Sequence, residues 1–177
     1  QRPAPQTQRS MQIIMMLSLA RRIRTSQSQK VILMATKRKL TVAQEVDKAA
    51  KLLQRLVRLK ASDDNGYCQC ITCGKIDHYK KMQGGHFYSR RHIIFKLFEP
   101  NINPQCAGCN MFGMKTTKIQ EAYRIYMEDR DGYRRIRAMQ RLAWRPAPKF
   151  KRNEVIKFAR KVKEKIKDEE SRIGETN

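Results

Sequence analysis

The chain has 177 residues and a formal net charge of +23 at neutral pH. This length fits one domain with short appendages, and so strong a positive charge indicates a polyanionic partner, with nucleic acid favoured over a membrane surface. Residues 1–60 carry 14 Lys and Arg against 2 Asp and Glu, whereas residues 61–112 carry 6 against 4. A charged surface without a binding role would be expected to mix positively and negatively charged side chains. We therefore expect the flanks of the chain to supply the binding charge.

Residues 1–36 are interpreted as a basic N-terminal extension that is disordered or non-native. In the second case, residues 1–33 would be sequence translated upstream of a true start at Met34. Residues 1–33 are rich in Gln, Ser and Arg and show no sustained hydrophobic period. The apolar run at residues 13–20 is too short to span a membrane and lacks a convincing signal-peptide cleavage site. We predict no membrane association, and retained thiols together with the positive charge favour the cytoplasm.

The next segment, residues 37–66, is predicted to contain one amphipathic helix. Thr41 and Gln44 have the spacing of a capping box. Behind them, apolar residues recur at helical spacing up to about Lys60. These residues are Val42, Val46, Ala49, Leu53 and Leu56.

Two Cys-x-x-Cys pairs, separated by 32 residues, are the most informative motif in the chain: Cys70 with Cys73, and Cys106 with Cys109. Four thiolates in two such turns suit one tetrahedral Zn²⁺, and because all four positions are protein ligands this ion is structural. Disulfides are the weaker interpretation, since five cysteines leave one over. The fifth, Cys68, could replace Cys70, but we expect it to be a small, half-buried apolar residue.

Residues 67–115 enclose both cysteine pairs and are predicted to form the core module. Between the pairs, residues 84–88 are short and rich in β-forming aromatic residues, which predicts a strand around His86. We expect an irregular loop after this strand, across a basic stretch and the apolar residues 93–98.

Residues 116–145 are predicted to be a basic helical region. Thr117 and Gln120 have the spacing of a second capping box, and the helix behind them ends at residues 131–132. Its predicted core-facing residues are Ile119, Ala122, Tyr123, Tyr126 and Met127. The next helix places arginines on one face, at positions 134, 137, 141 and 145, opposite Ile136, Met139 and Ala143.

Residues 146–177 are predicted to form a C-terminal basic helix and tail. Asn153 is the expected N-cap, and the helix is expected to fade into a polar tail by Ser171.

The order of the motifs resembles that of the HNH or ββα-metal nucleases in their four-cysteine form. More closely, Cys-x-x-Cys-Gly at residues 70–74, Gly-His-Phe-x-Ser-Arg at 85–90 and Asn-Ile-x-x-Gln-Cys-x-x-Cys-Asn at 101–110 are similar to the phage NinG (Rap) recombination family. The cysteine spacing is also similar to that of the endonuclease VII family of junction resolvases. The resemblance implies an α+β fold, with a small zinc-stapled ββα-metal module, HNH and treble-clef-like, flanked by amphipathic helices.

The resemblance also implies roles for single residues. His86 would be the general base that takes a proton from the attacking water, and Asn110 would bind a catalytic Mg²⁺ or Mn²⁺. Asn101 would hold the loop and orient the base, and Arg90 would clamp a phosphate. The expected DNA-binding residues are Arg90, Arg91, Lys115, Arg134, Arg137 and Arg141.

One position departs from the pattern, because the resembling nucleases commonly place an Asp before the base and this chain has Gly85. The NinG family shares the Gly-His form, so cleavage is not excluded, but the second ligand of the catalytic metal is unassigned. The nearby candidates are Asp77, Gln83 and Glu99.

Three functions fit the sequence. The first is a metal-dependent endonuclease that cuts branched DNA, such as Holliday junctions and flaps, in phage recombination, in the host cytoplasm. The second is a non-catalytic zinc-stapled module that only binds nucleic acid, and the third is an HNH nuclease acting on plain duplex DNA. Symmetric cutting of a four-way junction needs two active sites, so a homodimer is a reasonable expectation.

Overall fold

A computed structural model describes residues 39–174. The N-terminal extension predicted for residues 1–36 lies outside these described residues. The longer helices are α1 (Val42–Lys60), α3 (Thr117–Asp131), α4 (Tyr133–Ala143) and α5 (Arg152–Gly174), and α2 (Ile93–Lys96) is a single turn. The strands are β1 (Tyr67–Gln69), β2 (Ile76–His78), β3 (Gln83–His86) and β4 (Ile102–Gln105). The mixed α+β class predicted from the sequence is confirmed.

Helix α1 begins and ends where the sequence predicts. The Thr41 hydroxyl accepts from the Gln44 backbone amide, and the Gln44 side chain accepts from the Thr41 amide, so the predicted capping box is present. The apolar stripe packs inward at Leu53 and Leu56, but Val42 at its start remains 38% exposed. No helix in the described part of the chain has both the length and the apolar character that a membrane span requires.

Helix α5 packs along α1 and extends further than the sequence predicts. It begins at Arg152, so the expectation that Asn153 is the N-cap is wrong: Asn153 lies inside the first turn, where its side-chain oxygen accepts from the Glu154 amide. The helix continues past Ser171 to Gly174. Arg172 explains the extension, because its guanidinium donates to the carbonyls of Leu59 and Ser62 at the end of α1. These contacts hold the last helical turn in place.

The four strands form two antiparallel pairs. Strands β1 and β2 form a small hairpin in which Cys68 lies opposite Asp77. Strands β3 and β4 pair so that His86 lies opposite Ile102, and every residue of β4 is buried. A helical segment follows β4 directly, at residues 108–115.

The connection between β3 and β4 is more regular than the irregular loop that we expected. It contains helix α2, and its Phe95 is fully buried in a cluster with Tyr123 and Met127. Asn101 holds this connection closed, because its amide donates to the Tyr88 carbonyl at 3.0 Å and its oxygen accepts from the Tyr88 amide at 2.8 Å.

The second predicted capping box is wrong. Thr116, not Thr117, is the N-cap of α3, and no side chain caps the helix there. The Thr116 hydroxyl donates backwards to the Gly113 carbonyl, while Gln120 donates to the Met114 carbonyl. The segment that precedes α3 is itself helical, so the side chains of Thr116 and Gln120 bond to its carbonyls instead of capping the first amides of α3.

A buried chain of hydrogen bonds connects α3 to the strand that carries His86. The Tyr123 hydroxyl donates to the Gly85 carbonyl at 2.9 Å, and the Asn103 amide donates to that hydroxyl at 3.1 Å. Arg130 completes the chain by donating to the Asn103 side-chain oxygen. Burial raises the pKa of Tyr123, so its hydroxyl keeps its proton and remains a donor.

We predict that Tyr123→Phe lowers the free energy of unfolding by about 1–3 kcal/mol, because it removes the buried hydroxyl that donates to the Gly85 carbonyl and accepts from the Asn103 side chain. Urea denaturation measures this change. Tyr133→Phe is the matched control, since Tyr133 is 62% exposed and loss of its hydroxyl should cost under about 0.5 kcal/mol. Equal losses from the two substitutions would contradict the role given to Tyr123.

Candidate functional site

The two cysteine pairs meet at one point. The four Sγ atoms of Cys70, Cys73, Cys106 and Cys109 all lie within 4.8 Å of one another. The Cys73 and Cys106 sulfurs are 3.8 Å apart, which is about the edge length of a tetrahedron with Zn–S bonds of about 2.3 Å. The donor set and its spacing therefore fit one metal ion, and within residues 39–174 this is the only such group of three or more ligands.

Backbone hydrogen bonds position both pairs. The first pair lies in the turn between β1 and β2, where the Cys70 amide donates to the Lys75 carbonyl at 2.8 Å. Gly74 takes the left-handed conformation there, with φ of 76°, as the knuckle interpretation requires. The Ile71 amide donates to the Pro104 carbonyl at 3.1 Å, which ties this turn to β4 and so to the second pair.

Cys68 does not belong to the cluster. It lies on β1 with its side chain in the apolar core, and it is 3% exposed. It is therefore more deeply buried than the half-buried residue that we expected.

His86, Arg90 and Asn110 line one cleft of about 1120 Å³, beside the cysteine cluster. His86 ends β3, Arg90 follows in the loop, and Asn110 comes directly after Cys109 in the helical segment. Asn101 does not line this cleft; it is fully buried behind it and braces the loop. The structure thus brings three of the four proposed catalytic residues to one surface and places the fourth as their support.

The environment of His86 keeps its imidazole neutral. Burial, and next the positive charge of Arg90, lowers the pKa of His86 to about 4. Its Nε2 atom is buried and has no hydrogen-bond partner among residues 39–174. A neutral imidazole can accept a proton, as a general base must.

Asn110 is oriented by a residue of β3. Its Nδ2 donates to the Gln83 Oε1 at 2.6 Å, which leaves the Asn110 Oδ1 without a hydrogen bond among the described residues. Gln83 is one of the three residues considered for the second metal ligand, and it lines the same cleft. An amide oxygen held in this way is a suitable ligand for a hard cation.

The other two residues considered for that role lie elsewhere. Asp77 is on β2, beside Lys75 and Lys81. Glu99 pairs with Lys60 at 2.7 Å. Neither lines the cleft that contains His86.

Packing explains why Gly85 stands where the resembling nucleases have Asp. A Cβ atom at this position would lie 1.9 Å from the Gln105 Oε1 and 2.7 Å from its Cδ. Gln105 is fully buried, so its side chain has little room to move. The preceding glycine is equally confined, because a Cβ at Gly84 would lie 2.7 Å from the Cβ of Gln54 on α1. The Gly-Gly pair therefore lets β3 pack closely on both faces.

Other residues of the cleft were not found by sequence reasoning. Arg58 donates to the carbonyls of Tyr79 and Met82 and so holds the chain that leads into β3. Glu121 and Arg124 line the opposite wall and pair with each other. Helical spacing in the sequence could place each of these residues on one face of its own helix. Only the tertiary fold shows that these helix faces meet at the cleft.

The predicted DNA-binding residues do not all lie together. Arg90 lines the cleft, whereas Arg91 and Lys115 are exposed and do not. The arginines of α4 are exposed on its outer face: Arg134, Arg137 and Arg141.

The fold and the cluster define a small α+β protein with four cysteines placed so that they could hold one metal ion. The particular family follows from a family model, described as bacteriophage lambda NinG protein, that matches residues 5–172. The chain belongs to this family. No curated protein and no solved structure matches it.

We predict that Gly85→Ala lowers the free energy of unfolding by about 1–3 kcal/mol through overpacking against Gln105. Chemical denaturation tests this, with Gly174→Ala as the control, because nothing lies within 4 Å of a Cβ there. Gln105→Ala in the same molecule should recover part of the loss, since it removes the clashing side chain. A cost of Gly85→Ala that is unchanged in the Gln105→Ala background would contradict this account.

Proposed function

We propose that the protein is a metal-dependent, structure-specific endonuclease of the HNH type that cuts branched DNA, such as Holliday junctions and flaps, in phage recombination. The observation that carries this proposal is the convergence of His86, Arg90 and Asn110 on one cleft. The order of the motifs along the chain resembles that of the HNH or ββα-metal nucleases, and the cysteine spacing is similar to that of the endonuclease VII family. The net charge of +23 supports a nucleic-acid substrate.

The four-cysteine cluster is proposed to bind a structural Zn²⁺. With all four positions taken by thiolates, this ion has no open site for chemistry. Its role is to hold the turn of the first pair against the segment that carries Asn110. The strands around it have only three or four residues each, too few to be stable alone.

In the proposed reaction, His86 takes a proton from the water that attacks the scissile phosphate. Arg90 is exposed at the same cleft and binds a phosphate oxygen. A divalent cation, Mg²⁺ or Mn²⁺, would be held by the Asn110 Oδ1 together with DNA phosphate oxygens. When bound, it would stabilise the negative charge that develops on the leaving oxygen.

A second function, nucleic-acid binding without cleavage, is favoured by one specific observation. Among the described residues, the only carboxylate that lines the cleft is Glu121, which is paired with Arg124. Gln105 leaves no room for an Asp at position 85. Mg²⁺ sites in proteins usually include one or two carboxylates. An HNH nuclease acting on plain duplex is the third alternative, and a homodimer remains the expectation for symmetric junction cutting.

We predict that Cys73→Ser and Cys106→Ser lose the metal and unfold residues 67–115. Structural zinc contributes about 10–16 kcal/mol in isolated fingers, which is comparable to or larger than the stability of a typical domain. Metal analysis and far-UV circular dichroism measure both effects. Cys68→Ala is the matched control and should retain the metal; a Cys73→Ser protein that keeps its zinc and its spectrum would refute the assignment.

We predict that His86→Ala lowers the rate of junction cleavage by about 10²–10⁴-fold, because the water loses its base, while junction binding stays near wild type. Gel assays with Mg²⁺ on labelled junction, flap and linear duplex measure the rates. His92→Ala, an exposed histidine of the same loop, is the control. Asn110→Ala should also lose activity and regain part of it with Mn²⁺, which binds oxygen ligands more tightly.

The outcomes separate the alternatives. Cutting by His86→Ala at the wild-type rate would place the base elsewhere. Wild-type protein that binds junctions but cuts no substrate with either metal would establish the binding-only function.

The pH profile provides an independent check. Because the pKa of His86 is lowered to about 4, its imidazole is neutral at and above neutral pH and becomes protonated only as the pH falls towards 4. We therefore predict that kcat/KM for junction cleavage does not fall between about pH 8 and pH 6, since this ratio reports the free enzyme. Circular dichroism over the same range excludes unfolding. An acid limb centred near 6.5, the ordinary value for His, would contradict the burial of the base.

A further inference from the structure

The outer face of α4 combines exposed aromatic rings with unpaired arginines. We define it by five residues: Tyr133, Arg134, Arg137, Arg141 and Trp144. Trp144 is 85% exposed and Tyr133 is 62% exposed. Trp144 has αR backbone angles, so the helical spacing extends to it.

Helical geometry puts these residues on one side. Tyr133 and Trp144 are separated by three turns of about 3.6 residues, so their side chains project within about 20° of each other and about 16 Å apart along the axis. The three arginines fall within about 100° of Tyr133. Ile136 and Met139 project about 110° and about 170° away from the centre of this face. Both are buried in the cluster around Phe95, which fixes the direction in which the outer face points.

The arginines of this face have no acidic partner among the described residues. On α3, by contrast, Arg124 is bonded to both Glu121 and Glu128. Helix α4 itself contains no Asp or Glu. Arg137 lies 5.9 Å from the centre of the Tyr133 ring and donates to the Gln140 side chain at 3.1 Å. The positive charge is therefore uncompensated, and part of it is already ordered beside an aromatic ring.

We propose that the outer face of α4 binds single-stranded DNA, with unpaired bases stacked on Trp144 and Tyr133 and phosphates bound by the arginines between them. Aromatic rings alternating with basic side chains are the recurring chemistry of single-strand binding, because every base has a π-face. A duplex cannot use these rings, since its base faces are stacked inside. With a rise of about 3.4 Å per nucleotide in a stacked strand, the distance of about 16 Å between the two aromatic positions corresponds to about five nucleotides.

This inference rests on the proposed function for its class of partner, a nucleic acid, but not on cleavage. In this proposal, α4 binds the unpaired strand of a flap or opened junction, while the cleft that contains His86 acts on the scissile phosphate. An experiment can therefore disprove the role of one surface without disproving the role of the other.

The protein contains one Trp, so its tryptophan fluorescence, excited selectively over that of the tyrosines, reports on Trp144 alone. Full-length protein titrated with an oligothymidylate of about 15 nucleotides should show saturable quenching, whereas a duplex of equal length should produce little. No quenching, or equal quenching by the duplex, would overturn the proposal. So would emission that changes with protein concentration alone, because a second copy of the chain would then cover this face.

Anisotropy of a labelled oligothymidylate gives the affinity of each variant. Trp144→Ala should weaken binding by about 5- to 150-fold, the value of one base–aromatic stack, and Trp144→Phe should retain most of the affinity. Tyr67→Ala removes an aromatic residue that is 48% exposed on β1 and should change nothing. Equal effects of Tyr67→Ala and Trp144→Ala would count against the assignment. His86→Ala should leave the fluorescence quenching unchanged. The test of single-strand binding can therefore be interpreted even if the protein does not cleave DNA.

Discussion

Four thiols from two chain turns, separated by 32 residues of sequence, lie within 4.8 Å of one another, and the remaining geometry of the site depends on this convergence. The neighbouring β-structure is too small to provide it, since its two sheets have two strands each and hairpins of this size are marginal in water. A metal ion shared by the four sulfurs would replace a large apolar core. Helices α1 and α5 then cover the cluster from one side.

Two segments of the chain connect the proposed catalytic cleft to the cysteine cluster. Asn110 follows Cys109 directly, so the metal-binding turn sets its position. His86 pairs with Ile102 on β4, the strand that leads into Cys106. Tyr123 and Asn101 then support the strand and loop around His86 from behind. Loss of the cluster would therefore displace His86 and Asn110 together.

Sequence periodicity was sufficient for the features that depend on local patterns. The bounds of α1 follow from its capping box and apolar spacing, and the cysteine spacing predicted one shared site. Features that depend on contacts between distant residues were not predictable from the sequence. Helix α5 continues past Ser171 because Arg172 donates a hydrogen bond to a carbonyl at the end of α1. The single turn of α2 forms because Phe95 packs into a buried apolar cluster. Position 85 is the clearest case, since only the packing of Gln105 shows why it must be glycine.

The central claim is that one zinc ion, held by four cysteines, sets the geometry of this site. X-ray absorption at the zinc edge of the purified full-length protein tests it most directly. The account predicts a single shell of four sulfurs at about 2.3 Å. A shell that includes nitrogen or oxygen ligands, or protein that folds with no zinc bound, would contradict it.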